Sequence, residues 1–235
     1  MRKFKTSRRK CMAQLAAGAG VGWWLLAAHR QAWALSFSDA DASAGVREAL
    51  SRGAESAVAL LGRQDGFLGN PKVRIPLPKG LDSAARLLKS TGQGEQVEQL
   101  ETAMNRAAEA AVPEAGPLLS QAVKQMTVTD ARKIVTGGDT SVTQFFASKT
   151  RAPLTERFLP IVTRATEKVS LAAKYNAVAG TASGFGLIKK KDANIQQYVT
   201  GKSLDGLYFM IGEEERKIRR DPIGTGSEIL KKVFG

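Results

Sequence analysis

The chain is poor in the side chains on which most enzyme chemistry relies. Its 235 residues include one histidine, His29, one cysteine, Cys11, and three tryptophans, Trp23, Trp24 and Trp33. All five fall within residues 1–34, so residues 35–235 have no imidazole, thiol or indole. That excludes Ser-His-Asp and Cys-His catalysis, imidazole or thiolate metal sites, and disulfides from most of the chain. Chemistry there is left to carboxylates, Lys, Arg, Tyr and hydroxyls. Neither a cofactor nor a metal site is expected. Strict apolar–polar alternation is also scarce, so a sheet is not expected.

What is present begins with an export signal. Arg2, Lys3, Lys5, Arg8, Arg9 and Lys10 are followed by an apolar run from Met12 to Ala28 and by Ala32-Trp33-Ala34. Basic n-region, apolar h-region and small-x-small end are the parts of a secretory signal, which predicts cleavage after Ala34 and a periplasmic location. Ser7-Arg8-Arg9-Lys10 looks like the twin-arginine motif of folded-protein export. Gly18, Gly20, Gly22 and the late positive charge of Arg30 fit that route, and an ordinary secretory signal is the alternative. Cys11 precedes the apolar run, so it is not a lipidation cysteine. The run is also short for an uncleaved anchor, which needs about 20 apolar residues.

Charge divides along the same boundary. Seven basic residues and no acid lie in residues 1–34, so the formal +13 falls to +6 for residues 35–235. A charge of that size is an ordinary solubility charge, and no nucleic-acid partner is expected. Removing 1–34 leaves 201 residues, enough for one domain with a core of its own.

The apolar residues of that domain follow a helical period. Val46, Ala49, Leu50, Gly53, Ala54, Ala57, Val58 and Leu61 define a first helix, with Asp39 or Asp41 as its cap and Gly62 as its end. Residues 80–90 form a shorter segment. Val97 to Ala111, closed by Pro113, and Ala115 to Met126 are two more stripes. Thr129 or Asp130 starts a short helix ended by Gly137-Gly138, and Asp139 is placed to cap the next, which carries Phe145 and Phe146. Leu154 to Val169 is a long stripe that Pro160 should kink or restart, and Leu171 to Val178 continues after a break. Gly180 to Gly186 reads as a mobile loop. Leu204 to Ile218 is the last long helix and Ile229 to Phe234 a final short one. The expectation is an all-α domain of roughly eight to ten amphipathic helices.

Residues 62–79 break the rule. Gly66, Gly69, Pro71, Pro76 and Pro78 forbid a helix, while Val73, Ile75 and Leu77 alternate with Arg74 and Pro76. Disordered segments lack so many apolar residues, so an ordered extended strap over the helices is expected, with Phe67, Val73, Ile75 and Leu77 buried.

At this strap the chain resembles a known family. Asp65-Gly66-Phe67-Leu68-Gly69-Asn70-Pro71 with Val73-Arg74-Ile75-Pro76-Leu77-Pro78 is similar to the signature of a bacterial family of exported helical domains of unknown function. Met104-Asn105-Arg106-Ala107-Ala108-Glu109, Thr136-Gly137-Gly138-Asp139-Thr140, Phe158-Leu159-Pro160-Ile161-Val162 and Leu230-Lys231-Lys232-Val233-Phe234-Gly235 extend the match over residues 35–235. The resemblance implies an all-helical exported domain and carries no activity with it.

Three polar groupings are candidate sites. Asp65, Asn70 and Arg74 sit in the constrained turn, as ligand-binding residues or as Asx residues folding their own backbone. Asn105 and Glu109 share a helix face and could meet a ligand with the strap, or else bond strap carbonyls and pair with an arginine. Arg106 is expected to point away from them. In Glu213-Glu214-Glu215, the last two project toward the apolar stripe centred on Ile211, where a carboxylate must be paired, protonated or facing a cavity. A salt bridge to an arginine of another segment is expected, with Arg74 the first candidate. Gly137-Gly138-Asp139-Thr140 lacks the strand and Lys-Ser/Thr of a phosphate loop and reads as a helix stop with an Asp cap.

These observations favour an exported envelope protein with a binding or structural role, its ligand or envelope partner unspecified. One alternative is a carboxylate hydrolase using Glu214 or Glu215 with Asp65, which needs two carboxyls about 5–9.5 Å apart on an open cleft. Another is a binder of anionic surfaces or lipid headgroups through Lys189-Lys190-Lys191 and the Lys231-Lys232-Val233-Phe234 tail.

Overall fold

A computed structural model describes residues 39–79, 85–86, 89–92, 94–184 and 193–221. The export segment 1–34, most of the 80–90 segment, Lys189–Lys191 and the 229–234 helix lie outside the described residues.

The described residues are helical, without strands. Seven α-helices follow one another: α1 (Asp39–Leu61), α2 (Gly94–Ala111), α3 (Ala115–Lys124), α4 (Val128–Thr136), α5 (Ser141–Thr166), α6 (Ser170–Gly184) and α7 (Ile195–Arg220). A 3-10 turn, Val112–Glu114, joins α2 to α3, with Pro113 where its missing N–H costs nothing. None of the described helices is long and apolar enough to cross a membrane.

α7 is the axis of the domain and packs on α5, α1 and α2. It buries Tyr198, Val199, Leu204, Leu207, Tyr208 and Ile211 among others, close to a helix apolar over much of its circumference. α5 packs on α2 as well, and α1 covers α3 and α4. Phe145 and Phe146 meet edge to face at 5.4 Å, and the Tyr208 hydroxyl is satisfied inside the core by Thr150 at 2.8 Å.

Several boundaries differ from those read off the pattern, each for a local reason. α4 starts at Val128 because Thr127 and Asp130 form a reciprocal capping box, ahead of the expected Thr129 or Asp130. Asp139 does not cap α5; Thr140 stands at that position without a side-chain cap bond. α5 runs for 26 residues through Pro153 and Pro160 and does not restart at Pro160. Each proline frees a carbonyl four residues earlier, at Lys149 and Glu156, and both of those residues are exposed, where an unbonded carbonyl costs least. The Gly180–Gly186 loop is corrected for Gly180 to Gly184, since α6 continues to Gly184, and its last two residues lie outside the described residues. A single helical glycine costs only about 1 kcal/mol, and alanines surround this one. α7 begins nine residues before Leu204, with Asn194 accepting from the Gln197 N–H as its cap.

The strap leaves α1 at Gly62 and lies between α2 and α7. Phe67 and Ile75 are 0% and 1% exposed, Val73 is buried and Leu77 partly so. Its closest approach is at Gly206 of α7, where a Cβ would stand 2.8 Å from the Phe67 ring. A glycine at that point is what allows an aromatic ring to lie on the helix backbone.

Candidate functional site

The structure brings Asp65, Asn105, Arg106 and Glu109 together around the strap. The N–H groups of Phe67 and Leu68 both donate to Oε1 of Glu109 at 3.0 Å. Arg106 donates to Oε2 of Glu109 at 2.6 Å and, with its other terminal nitrogen, to Oδ1 of Asp65 at 2.8 Å. Asn105, wholly buried, accepts from the Ile75 N–H at 2.8 Å and donates to the Ile75 carbonyl at 3.0 Å, as a neighbouring strand would. It donates again to the Glu101 carbonyl at 2.9 Å. Both oxygens of Glu109 and both polar atoms of Asn105 are therefore engaged within the molecule.

Arg106 corrects the expectation that it points away. Its stem is long enough to curl back along α2, and the three-residue spacing sets its guanidinium beside Glu109. Asp65 holds a positive φ of 64°, and its side chain serves Arg106. Asn70 does fold its own turn, accepting from the Lys72 N–H at 3.1 Å. Arg74 pairs with Glu101 at 3.0 Å. Two further ties, from residues the sequence did not single out, reach α7. The Tyr198 hydroxyl donates to the Pro76 carbonyl at 3.1 Å, and Lys72 meets Glu213 at 2.6 Å.

The glutamate triplet of α7 divides into three environments. Glu213 is held by Lys72 of the strap and by Arg216, and those two donors lower its carboxyl to about 2. Glu214 pairs with Lys217 at 2.5 Å. Glu215 is 7% exposed, and its Oε1 accepts from Arg219 Nε at 2.8 Å. The arginine comes from the same helix, four residues on, and not from Arg74 or another segment. Helical spacing delivers a guanidinium to this carboxylate with no long-range contact required. Arg219 supplies the long-range contact itself, donating to the Ile134 carbonyl at 2.7 Å and reaching the Ser141 hydroxyl at 3.4 Å.

Glu215 differs from Glu109 in one atom. Its Oε2 is buried and has no hydrogen-bond partner among the described residues. Burial pushes this carboxyl above its ordinary value, with the Arg219 bond pulling the other way. Glu215 lines a narrow cavity of about 20 Å³ with Arg219 and the apolar wall of Val46, Leu50, Ile134, Val142, Ile211 and Ile218. A cavity needs about 10–15 Å³ to admit one water-sized group, so this one has room for a single small polar atom.

Gly137, Gly138 and Thr140 border a wider surface groove of about 510 Å³ with Lys133 and Lys149. Among the described residues no group of three His, Cys, Asp or Glu gathers as a metal site.

The sequence matches the model of the DUF4197 family, described as a protein of unknown function, over residues 36–235. The chain belongs to this family. No curated protein and no solved structure matches it. The strap motif and the Met104–Glu109 motif by which the resemblance was read are, in space, one assembly. Asp65, Phe67 and Ile75 from the first are joined to Asn105, Arg106 and Glu109 from the second.

Proposed function

We propose that the chain is exported to the bacterial periplasm by the twin-arginine route and that residues 35–235 act there as a binding module. Support for export lies in residues 1–34, where Arg8-Arg9 precedes a glycine-diluted apolar run and Ala32-Trp33-Ala34 ends it. Support for binding lies in the Glu215 cavity. Among the four buried side-chain polar atoms left without a partner, Glu215 Oε2 is the one carboxylate oxygen, and a desolvated carboxylate oxygen without a donor is costly, which favours a group that supplies one.

The carboxylate-hydrolase alternative fits less well. Asp65 is engaged by Arg106, and Glu214 by Lys217. Glu215 is held by Arg219 beside a cavity with room for one water-sized group, too small for a sugar ring.

Both halves of the proposal are open to test. Cell fractionation of the full chain carrying Arg8→Lys and Arg9→Lys should leave precursor in the cytoplasm, and undiminished export would end the twin-arginine reading. Native mass spectrometry of the protein purified from its envelope fraction should reveal a retained small molecule. An Ala49→Leu variant, bulkier in the cavity lining, should lose it.

A further inference from the structure

The elbow Gly137-Gly138-Asp139-Thr140 between α4 and α5 is only half explained by the fold. Gly137 is required, since a Cβ there would stand 2.5 Å from the Lys133 carbonyl oxygen and 2.7 Å from the Ser141 Cβ. Gly138 has no such need. Its Cβ would meet nothing within 4 Å, and its φ lies outside the left-handed region. What its missing side chain leaves open is the groove of about 510 Å³ that it borders. Unlike the slot beside Glu215, a space of that size takes a whole small molecule.

The groove is a cleft with one lysine on each wall, Lys133 of α4 and Lys149 of α5, and with buried Ile134 and Phe145 as its apolar part. Neither lysine is held by a hydrogen bond or an ion pair among the described residues. Both act on Asp130 of the same lining, whose carboxyl is lowered chiefly by the hydroxyl and N–H of Thr127, with Lys149 and Lys133 adding to it. Two cations against one anion leave the lining positive, and Asp139 of the elbow does not line it.

The hydrogen-bonding valences sort the ligand further. Lysine ammoniums only donate. The Ser148 hydroxyl donates to the Phe145 carbonyl at 2.8 Å, which leaves its oxygen as an acceptor in the cleft. Asp130 takes both Thr127 bonds on Oδ2, which leaves Oδ1 as a second acceptor. A complementary molecule therefore carries an anionic acceptor for the lysines and hydroxyl donors for Asp130 and Ser148. An amine would meet two like charges, and an aliphatic chain would find only Ile134 and Phe145.

We propose that the cleft between α4 and α5 binds a small hydroxylated anion, its carboxylate or phosphate oxyanion between Lys133 and Lys149 and its hydroxyls donating to Asp130 and Ser148. This site goes beyond the Glu215 cavity and does not depend on what that cavity holds.

The test follows the Gly138 and Gln144 amides of the full chain at pH 7 and low salt, titrated with glucuronate, glucose 6-phosphate, glucose and acetate. Both sugar anions should shift these amides saturably, and the tighter of the two names the oxyanion. Glucose lacks the charge and acetate lacks the hydroxyls, so each should bind about fivefold more weakly or worse. Lys133→Gln and Lys149→Gln should each weaken sugar-anion binding about fivefold. Lys168→Gln, an equal loss of charge beyond the far end of α5, should leave it unchanged. Gly138→Leu should block the cleft without lowering the melting temperature, because its Cβ has open space. Ala49→Leu, which alters the Glu215 cavity, should leave sugar-anion binding intact.

No saturable shift with either sugar anion would overturn the proposal, as would equal affinity for glucose or equal weakening by Lys168→Gln. A retained molecule that Ala49→Leu releases, together with no binding in the cleft, would refute this site and leave the binding module standing. Absence of both would refute both.

Discussion

Two buried glutamates, Glu109 of α2 and Glu215 of α7, set the strap and the cavity apart. Each is about as shielded as the other, at 5% and 7% exposure, and each is paired with an arginine of its own helix. Glu109 has its second oxygen filled by the Phe67 and Leu68 amides, while Glu215 has Oε2 left over. The lesson is that burial and an ion pair do not by themselves distinguish architecture from a site. What distinguishes them is whether the remaining lone pairs are met from within the chain. By that criterion the strap cluster is architecture, while the Glu215 cavity keeps an acceptor that the described residues do not meet.

The sharpest way to break this contrast is at the strap. Phe67→Ala empties a fully buried aromatic site and should destabilise the domain by about 3–5 kcal/mol in denaturant unfolding. A loss under 1 kcal/mol would show the strap to be peripheral. Glu109→Ala strands two strap amides and the Arg106 guanidinium, and about 3 kcal/mol is expected. Gly206→Ala comes next, since its Cβ would stand 2.8 Å from the Phe67 ring, and overpacking of that kind costs about 1–3 kcal/mol. Combining Gly206→Ala with Phe67→Leu should recover part of that loss, as both act at one contact.

Smaller effects, read as pH dependence, separate the neighbouring glutamates of α7. Glu215 is raised above the ordinary 4.5 by burial. Its contribution is full below that value and is lost as pH rises through the folded-state value. Glu213, lowered to about 2 by Lys72 and Arg216, behaves in the opposite sense. Its contribution is present above about 4.5 and disappears as pH falls toward 2. Thermal melts should therefore show that Glu215→Gln removes part of the relative gain between pH 7.5 and 4.5. Glu213→Gln should flatten the loss between 4.5 and 2. The same sign for both variants would mean that the Arg219 pair outweighs burial at Glu215, and no effect of Glu215→Gln would mean that Glu215 is solvated.

Much of the fold was legible because helical periodicity is a property of neighbouring residues. The α1 stripe from Val46 to Leu61 and the α2 stripe from Val97 to Ala111 are buried as their spacing implies. The inward residues of the strap, Phe67, Val73 and Ile75, were readable from alternation and proline content. What escaped the sequence were choices settled by a partner or a cap. Pro153 and Pro160 do not stop α5, and the carbonyls they free belong to exposed residues, Lys149 and Glu156. The early start of α7 is set by the Asn194 cap, with Ile195, Tyr198 and Val199 buried at i, i+3, i+4 spacing ahead of the stripe that begins at Leu204. At the sites, residue types pointed to Asn105, Glu109 and Glu215 as buried polar groups, to strap carbonyls for Asn105 and to an arginine for Glu109, but not to which arginine would serve Glu109 or Glu215. Arg106 could be assigned only once its reach back to Glu109 and Asp65 was seen. Arg219 sits in a basic run, Arg216 to Arg220, that reads as a solvated helix end. Gly206 carries no signal in a sequence until the ring that lies on it is known.

Amide exchange at Phe67 and Leu68, compared among the unaltered chain, Glu109→Ala and Glu215→Gln, is the most direct test of the difference between the two glutamates. Glu109 alone should hold these amides. They should be protected in the unaltered chain and in Glu215→Gln, and exchange fast in Glu109→Ala while core amides of α7 such as Leu207 stay protected. Fast exchange in the unaltered chain, or equal loss in both variants, would contradict the account.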